Sequence, residues 1–414
     1  MSERLATTRP DVGHLRIGLL CLGLAVWLAA ARPGAAQALL RAESAAEYDF
    51  GQVMRFRLSA GAERPIVAAT LLVSAPDLPN TLTADPEFTP GREIELEHRL
   101  DLTEHRLAPF SYVSYWWQLR LEGGEEVEVP ARTLEYADDQ FDWRTLERDS
   151  LQVRWAGPDA ELGGLAMDTL AKALASVQTL IPVEPPLPLR VYVYPSANEL
   201  RAALRLSGRD WIGAHARPEL GLILVAASNP RTAAADLAKD LPHELSHLLL
   251  YRAVGTNYAN TPRWLDEGLA SLFDGQANGT YAAVLEEAAA AGATLPFSQL
   301  CRAFPAGSDQ ALLAYAQSES LVHFIKAEYG NQALTSMVAA LADGADCEGV
   351  SRRALGVSLA ELNETWLGQI APQPSLARFW REAAVWLLLA VAGFGLTALF
   401  VLSPTRKSDG ESGT

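Results

Sequence analysis

Positive charge is in short supply in this chain of 414 residues: 34 Lys and Arg stand against 50 Asp and Glu, a formal net charge of −16. A surface of that sign repels phosphate backbones, which excludes nucleic acid as a partner and favours neutral or basic polypeptides on encounter. Cysteine is scarcer still. Cys21, Cys301 and Cys347 are the only three, so one disulfide at most can form, and Cys301 with Cys347 is the pair available in an oxidising compartment. No internal repeat is present, which leaves out an array of stacked units. Histidine is also rare, at seven residues, and that rarity gives weight to where two of them fall.

His243-Glu244-Leu245-Ser246-His247 places two imidazoles four residues apart, one turn apart on a single helical face, where both can address one tetrahedral ion. With seven histidines, an HExxH string is expected by chance in roughly one sequence of this length in a hundred. Its surroundings are those of a buried helix: Leu241, Leu245, Leu248, Leu249 and Leu250 form an apolar stripe, and Gly255 is a stop signal. Pro242 leaves two local readings open. Either Asp240 caps a fresh helix with the proline in its first turn, or a helix from Pro230 kinks there. Glu244 points beside the metal rather than at it, which suits a carboxylate that removes a proton from water activated there.

Two imidazoles under-coordinate zinc, so a third ligand is required. Thr261 as N-cap, Pro262 as first helical residue and Gly275 as stop frame a second helix over Arg263–Asp274 that carries Glu267. Glu267 sits in Trp264-Leu265-Asp266-Glu267-Gly268-Leu269-Ala270, with nineteen residues between it and His247. With this string the chain resembles the gluzincin metallopeptidases, most closely the peptidase MA-like group. The resemblance implies a zinc-dependent metallopeptidase with His243, His247 and Glu267 as metal ligands, Glu244 as general base and a polypeptide substrate. Position 271, where some gluzincins carry an acidic residue, is Ser271 here, so Asp274 and Asp266 are the candidates to orient the ligands from behind. The resemblance also implies a Tyr or His that stabilises the tetrahedral oxyanion. Tyr315 is the first candidate by chain order and His215 the second.

The flanks point out of the cytoplasm. Arg4, Arg9 and Arg16 precede an apolar run from Ile17 to Ala31, and Ala36-Gln37-Ala38 offers a cleavage site; residues 1–38 therefore read as a signal peptide. Its removal takes away four Arg against Glu3 and Asp11 and moves the net charge to −18. Residues 383–402 are free of charge, the length a helix needs to cross a bilayer, with Trp380 and Trp386 near one end and Arg406 and Lys407 beyond the other. The expectation is a single-pass protein of the cell membrane with its ectodomain outside and a cytoplasmic tail over residues 403–414.

The ectodomain between them is long enough for two domains. Ile94, Leu96, His98, Leu100 and Leu102 alternate with charged residues, as do Val113, Tyr115, Trp117, Leu119 and Leu121 with polar ones. With Gln52–Leu58 and Ile66–Val73 these strands predict an N-terminal, Ig-like β-sandwich over residues 39–137. Residues 138–371 then read as a mainly helical peptidase domain, giving an α+β chain. Strands are predicted at Leu189–Tyr194 and at Gly221–Val225, the latter taken as an edge strand able to pair with an extended peptide. The alternative is a membrane-tethered binding or sensing protein with a catalytically inactive peptidase-like domain. Presence of all four expected site residues weighs against it.

Overall fold

The computed structural model describes residues 39–370, apart from 77, 158, 205–213, 276–278 and 306–307, together with 383–384 and 386–394. The expected signal peptide and cytoplasmic tail lie outside the described residues, as does the end of the expected membrane span. Among the described residues no helix is long and apolar enough to cross a membrane.

Six strands form the first sheet: β1 (Leu39–Asp49), β2 (Val53–Ser74), β3 (Leu82–Ala84), β4 (Gly91–Asp101), β5 (Ser111–Leu121) and β6 (Glu126–Tyr136). The two runs expected at Gln52–Leu58 and Ile66–Val73 are one 22-residue strand, β2. Its first half pairs with β1 and β4 and its second half with β5 and β3, with a register break between Gly61 and Ile66. Met54, Phe56 and Leu58 from one half and Leu71 and Val73 from the other enter one core with Trp117 of β5. The architecture thus differs from the Ig-like expectation of two separate sheets. One sheet bends where the pairing of β2 is irregular, which lets a strand turn a corner, and both halves pack on one core. The alternation read for β4 and β5 is present, and β5 buries every second side chain without exception.

After Tyr136 the chain leaves this sheet and starts another: β7 (Trp143–Arg148), β8 (Leu151–Ala156), β9 (Leu189–Tyr194), β10 (Ala214–Arg217) and β11 (Leu222–Ala226), in the order β10-β11-β9-β8-β7. β8, β9 and β11 run parallel, and β7 and β10 are antiparallel strands at the two ends. Every residue of β9 and β11 is buried, as parallel strands covered on both faces require. Val191, Val193, Ile223 and Val225 face the helices, whereas Tyr192, Tyr194, Leu222 and Leu224 face Phe110 from the first sheet. Phe110 stacks on Tyr192 with centroids 3.5 Å apart. Arg190 sits on the same face and bonds Phe110 O at 3.2 Å, Glu135 at 3.3 Å and Leu220 O at 3.0 Å. A buried guanidinium satisfied from both sides fixes how the two sheets meet.

The helices are α1 (Glu161–Val177), α2 (Ala197–Leu204), α3 (Ala233–Val254), α4 (Arg263–Ser271), α5 (Gly279–Ala291), α6 (Phe297–Leu300), α7 (Ser308–Ala342), α8 (Cys347–Leu355) and α9 (Leu359–Ile370). α7 breaks at Gly330, where φ is +79°, a conformation glycine adopts without penalty. α3 runs unbroken through Pro242; no new helix starts at Asp240. Cys301, at the end of α6, is disulfide-bonded to Cys347 at the start of α8.

Candidate metal centre

α3 and α4 build the site. α3 lies against the second sheet through Leu237, Leu241, Leu245 and Leu248, all fully buried, and that packing turns the opposite face, with His243 and His247, towards α4. A short 3-10 turn, Gly255–Asn260, reverses the chain between them. α4 begins at Arg263 with Pro262 as its N-cap, one residue later than the expected cap Thr261, and ends at Ser271 rather than Asp274. All of Trp264 to Ser271 is buried. Gly268 makes this possible: a Cβ there would come within 2.5 Å of Ser318 O on α7.

His243, His247 and Glu267 are brought together as a group able to hold a metal ion. Glu267 Oε2 lies 3.5 Å from His243 Nε2 and 3.7 Å from His247 Nε2. Ligands at zinc–nitrogen and zinc–oxygen distances in a tetrahedron stand about 3.4 Å apart, so the donor set fits zinc. The other ring nitrogens are engaged from behind: His243 Nδ1 with Asp274 Oδ1 at 2.9 Å, and His247 Nδ1 with Asp266 Oδ1 at 2.6 Å. Both acidic residues read as substitutes for the missing acid at Ser271 are therefore in contact with an imidazole, one each. Ser271 Oγ instead donates to Glu267 O at 2.8 Å.

Charge around the site is tightly coupled. Burial works to lower the His243 pKa, but hydrogen bonds to Asp274 and Glu267 and the charge of Glu244 raise it well above the ordinary value. His247 shows the same balance, with burial opposed by Asp266 and Glu267, and is raised. Burial pushes the Glu267 carboxyl up, yet His247, His243 and Arg263 together hold it well below the usual carboxylate range. The carboxylates around the two imidazoles thus favour positive charge between them, where a cation belongs.

Glu244 follows His243 on α3 and is half-buried. One turn earlier, Asp240 is pushed up by burial, pulled down by Lys239 and pushed up by Glu244, ending at about 6. Tyr315 lies on α7, half-buried, with its ring edge-on to Phe304 at 5.1 Å and stacked on Tyr281 at 6.4 Å. Tyr281 of α5, passed over in the sequence, feels the charges of Asp274 and Glu267. His215 lies within β10, the short strand that precedes β11 and pairs with it. The strand expected at an edge, β11, is interior, between β10 and β9; β10 ends the sheet among the described residues. A single alternating sequence cannot rank strands across a sheet, because pairing order depends on crossovers.

Arg263 was also missed. Its Nη2 meets Glu267 Oε1, and its Nη1 donates to Asp266 Oδ2 at 3.0 Å. The signal was available: Arg263 and Glu267 are four apart on one helix, the spacing at which side chains touch.

Residues 169–371 match the family model of the Peptidase MA superfamily. No curated protein matches the chain. Among solved structures, an aminopeptidase N family protein from Idiomarina loihiensis is 9% identical, with 82% of this chain and 78% of that one covered, at a TM-score of 0.42. A two-domain M1 zinc metallopeptidase variant bound to L-tryptophan is 14% identical, with 78% and 90% covered, at 0.36. The sporulation control protein Spo0M from Bacillus subtilis is 11% identical at a TM-score of 0.18, over 34% of this chain and 56% of that one. The chain thus spans little more than half the length of Spo0M. TM-scores this low do not establish a shared fold.

Proposed function

Residues 169–371 belong to the Peptidase MA superfamily, and on that premise we propose that the chain is a membrane-anchored, extracytoplasmic zinc metallopeptidase that hydrolyses peptide bonds. The observation that carries this reading is the convergence of His243 Nε2, His247 Nε2 and Glu267 Oε2, with both Nδ1 atoms held by carboxylates. An Nδ1–H donated to Asp274 or Asp266 fixes the tautomer, so that each Nε2 presents its lone pair to the site. Zinc, when bound, supplies a Lewis acid that lowers the pKa of water and polarises a carbonyl.

Glu244 is the proton carrier. Its carboxylate takes a proton from the attacking water and returns it to the leaving amine. The Tyr315 hydroxyl donates to the developing oxyanion, from a half-buried place on α7 beside Phe304 and Tyr281. An extended substrate has β10 as the strand to pair with, by main-chain hydrogen bonds. Membrane attachment through residues 383–402 is supported by their lack of charge. The described residues 386–394 are helical and leave Trp386 and Phe394 more than 70% exposed, an apolar surface that needs cover.

The test is zinc content together with cleavage of a quenched peptide library, using the full chain in detergent beside Glu244→Gln. One zinc per chain in both proteins, with chelator-sensitive cleavage in the unmodified chain alone, is the expected result. Full cleavage by Glu244→Gln rejects Glu244 as the proton carrier, and absence of zinc rejects the site.

A further inference from the structure

Arg263 opens α4 one turn before Glu267 and engages two carboxylates at once, Glu267 through Oε1 and Asp266 through Oδ2. The other oxygen of each carboxylate looks towards the histidines. Glu267 Oε2 is 3.5 Å from His243 Nε2, and Asp266 Oδ1 is 2.6 Å from His247 Nδ1. Tyr258 donates its hydroxyl to Asp266 Oδ2 at 3.2 Å, on the same side as the guanidinium. Resting on the zinc reading above, we propose that Arg263 is a positioning residue for the metal centre, whose planar fork occupies one oxygen of each carboxylate. Glu267 is thereby left to coordinate through Oε2 alone, and Asp266 to orient His247 through Oδ1.

A carboxylate binds zinc through one oxygen or two, and the choice turns on whether the second oxygen has a better partner. The Glu267 side chain is only 3% exposed, so water is a poor substitute donor for Oε1. A charge-assisted bond from Arg263 satisfies that oxygen. Without it, Oε1 becomes a buried acceptor lacking a donor, and the nearest cation is the metal. The same guanidinium offsets part of the negative charge gathered in Asp266, Glu267 and Asp274. It also joins a ligand on α4 to the group that orients a ligand on α3, so one side chain couples two of the three donors. Lysine retains the charge but has no fork with which to hold two carboxylates in fixed directions.

The full chain in detergent, stripped of metal, is compared as wild type, Arg263→Met and Arg263→Lys. Zinc affinity is measured by chelator competition, coordination by the visible absorption of added Co2+, and folding by thermal denaturation. Arg263→Met is expected to bind zinc about 10- to 100-fold more weakly and to show the weaker cobalt absorption of a higher coordination number. Arg263→Lys is expected to recover the melting temperature and leave the cobalt spectrum altered. Wild-type affinity and spectrum in Arg263→Met overturn the proposal, as does a lowered melting temperature with an unchanged spectrum. A wild-type spectrum in Arg263→Lys overturns the fork, and that variant decides the question if Arg263→Met does not fold. A wild-type chain that takes up no zinc overturns the zinc reading and this proposal together. One zinc in the wild type with indifferent variants overturns the role of Arg263 alone.

Discussion

Replacing Gly268 by alanine adds one methyl group where α4 crosses α7. Built on the observed backbone, that Cβ would stand 2.5 Å from Ser318 O and 3.1 Å from Ser318 C, and it would also collide with Val322 Cγ2. The valine methyl can rotate away, but the backbone carbonyl belongs to a helix and cannot. Relief therefore requires α4 and α7 to part by roughly 1 Å, which puts the cost at the upper end of the overpacking range, about 3 kcal/mol. Alanine returns about 1 kcal/mol through its better helix propensity. The expected net loss is about 2 kcal/mol. Because Gly268 follows Glu267 directly, the same displacement carries the proposed ligand beyond the tolerance of about 0.2 Å that coordination allows, so zinc affinity should fall as well. Urea unfolding followed by tryptophan fluorescence reads the first effect, since Trp264 and Trp366 are buried in this core. Gly164→Ala on α1, where a Cβ would meet nothing within 4 Å, is the control and should match the wild type or exceed it by up to about 1 kcal/mol. If Gly268→Ala unfolds at the same urea concentration as Gly164→Ala and binds zinc as tightly as the wild type, the close approach of α4 and α7 is refuted.

The raised pKa values of His243 and His247 give metal-free protein a stability contribution that is full below the ordinary histidine value of 6.5 and is lost as pH rises through the raised values. Zinc requires neutral imidazoles, so its stabilising effect should grow over the same range; the gap between melting temperatures with and without zinc must widen from neutral to alkaline pH, and a constant gap would sink the assignment. The disulfide between Cys301 and Cys347 spans a separation of 46 residues, for which chain entropy gives a stabilisation of about 4 kcal/mol. Serine at both positions should lower the denaturation midpoint accordingly, and an unchanged midpoint under non-reducing conditions would contradict the bond.

Much of the centre was legible because it depends on short-range geometry. The i,i+4 spacing of His243 and His247 fixes a shared face whatever surrounds the helix, and the apolar residues between and after them say which side is buried. Asp266 and Asp274 were open to view as acids near the ligand Glu, yet only the fold paired Asp274 with His243 and Asp266 with His247. The fork of Arg263 was passed over although its spacing to Glu267 announces contact. What it touches beyond Glu267 depends on how Asp266 turns towards α3.

Strand existence was similarly readable from alternation in β4 and β5, whereas strand partners were not. Gln52–Leu58 and Ile66–Val73 read as two separate runs; the continuous backbone joins them through irregular pairing between Gly61 and Ala68, so that one strand serves both halves of a bent sheet. The placing of β11 inside the second sheet and β10 at its end was likewise out of reach. By itself the sequence determined which side chains could carry the chemistry and the local helices that present them, since both follow from residue type and a period of a few residues. The tertiary structure alone decided which oxygen of each carboxylate meets which nitrogen, which described strand ends the second sheet, and how Phe110 and Arg190 join the two sheets. Those contacts join residues far apart in the chain, and their energies depend on packing that no local period encodes.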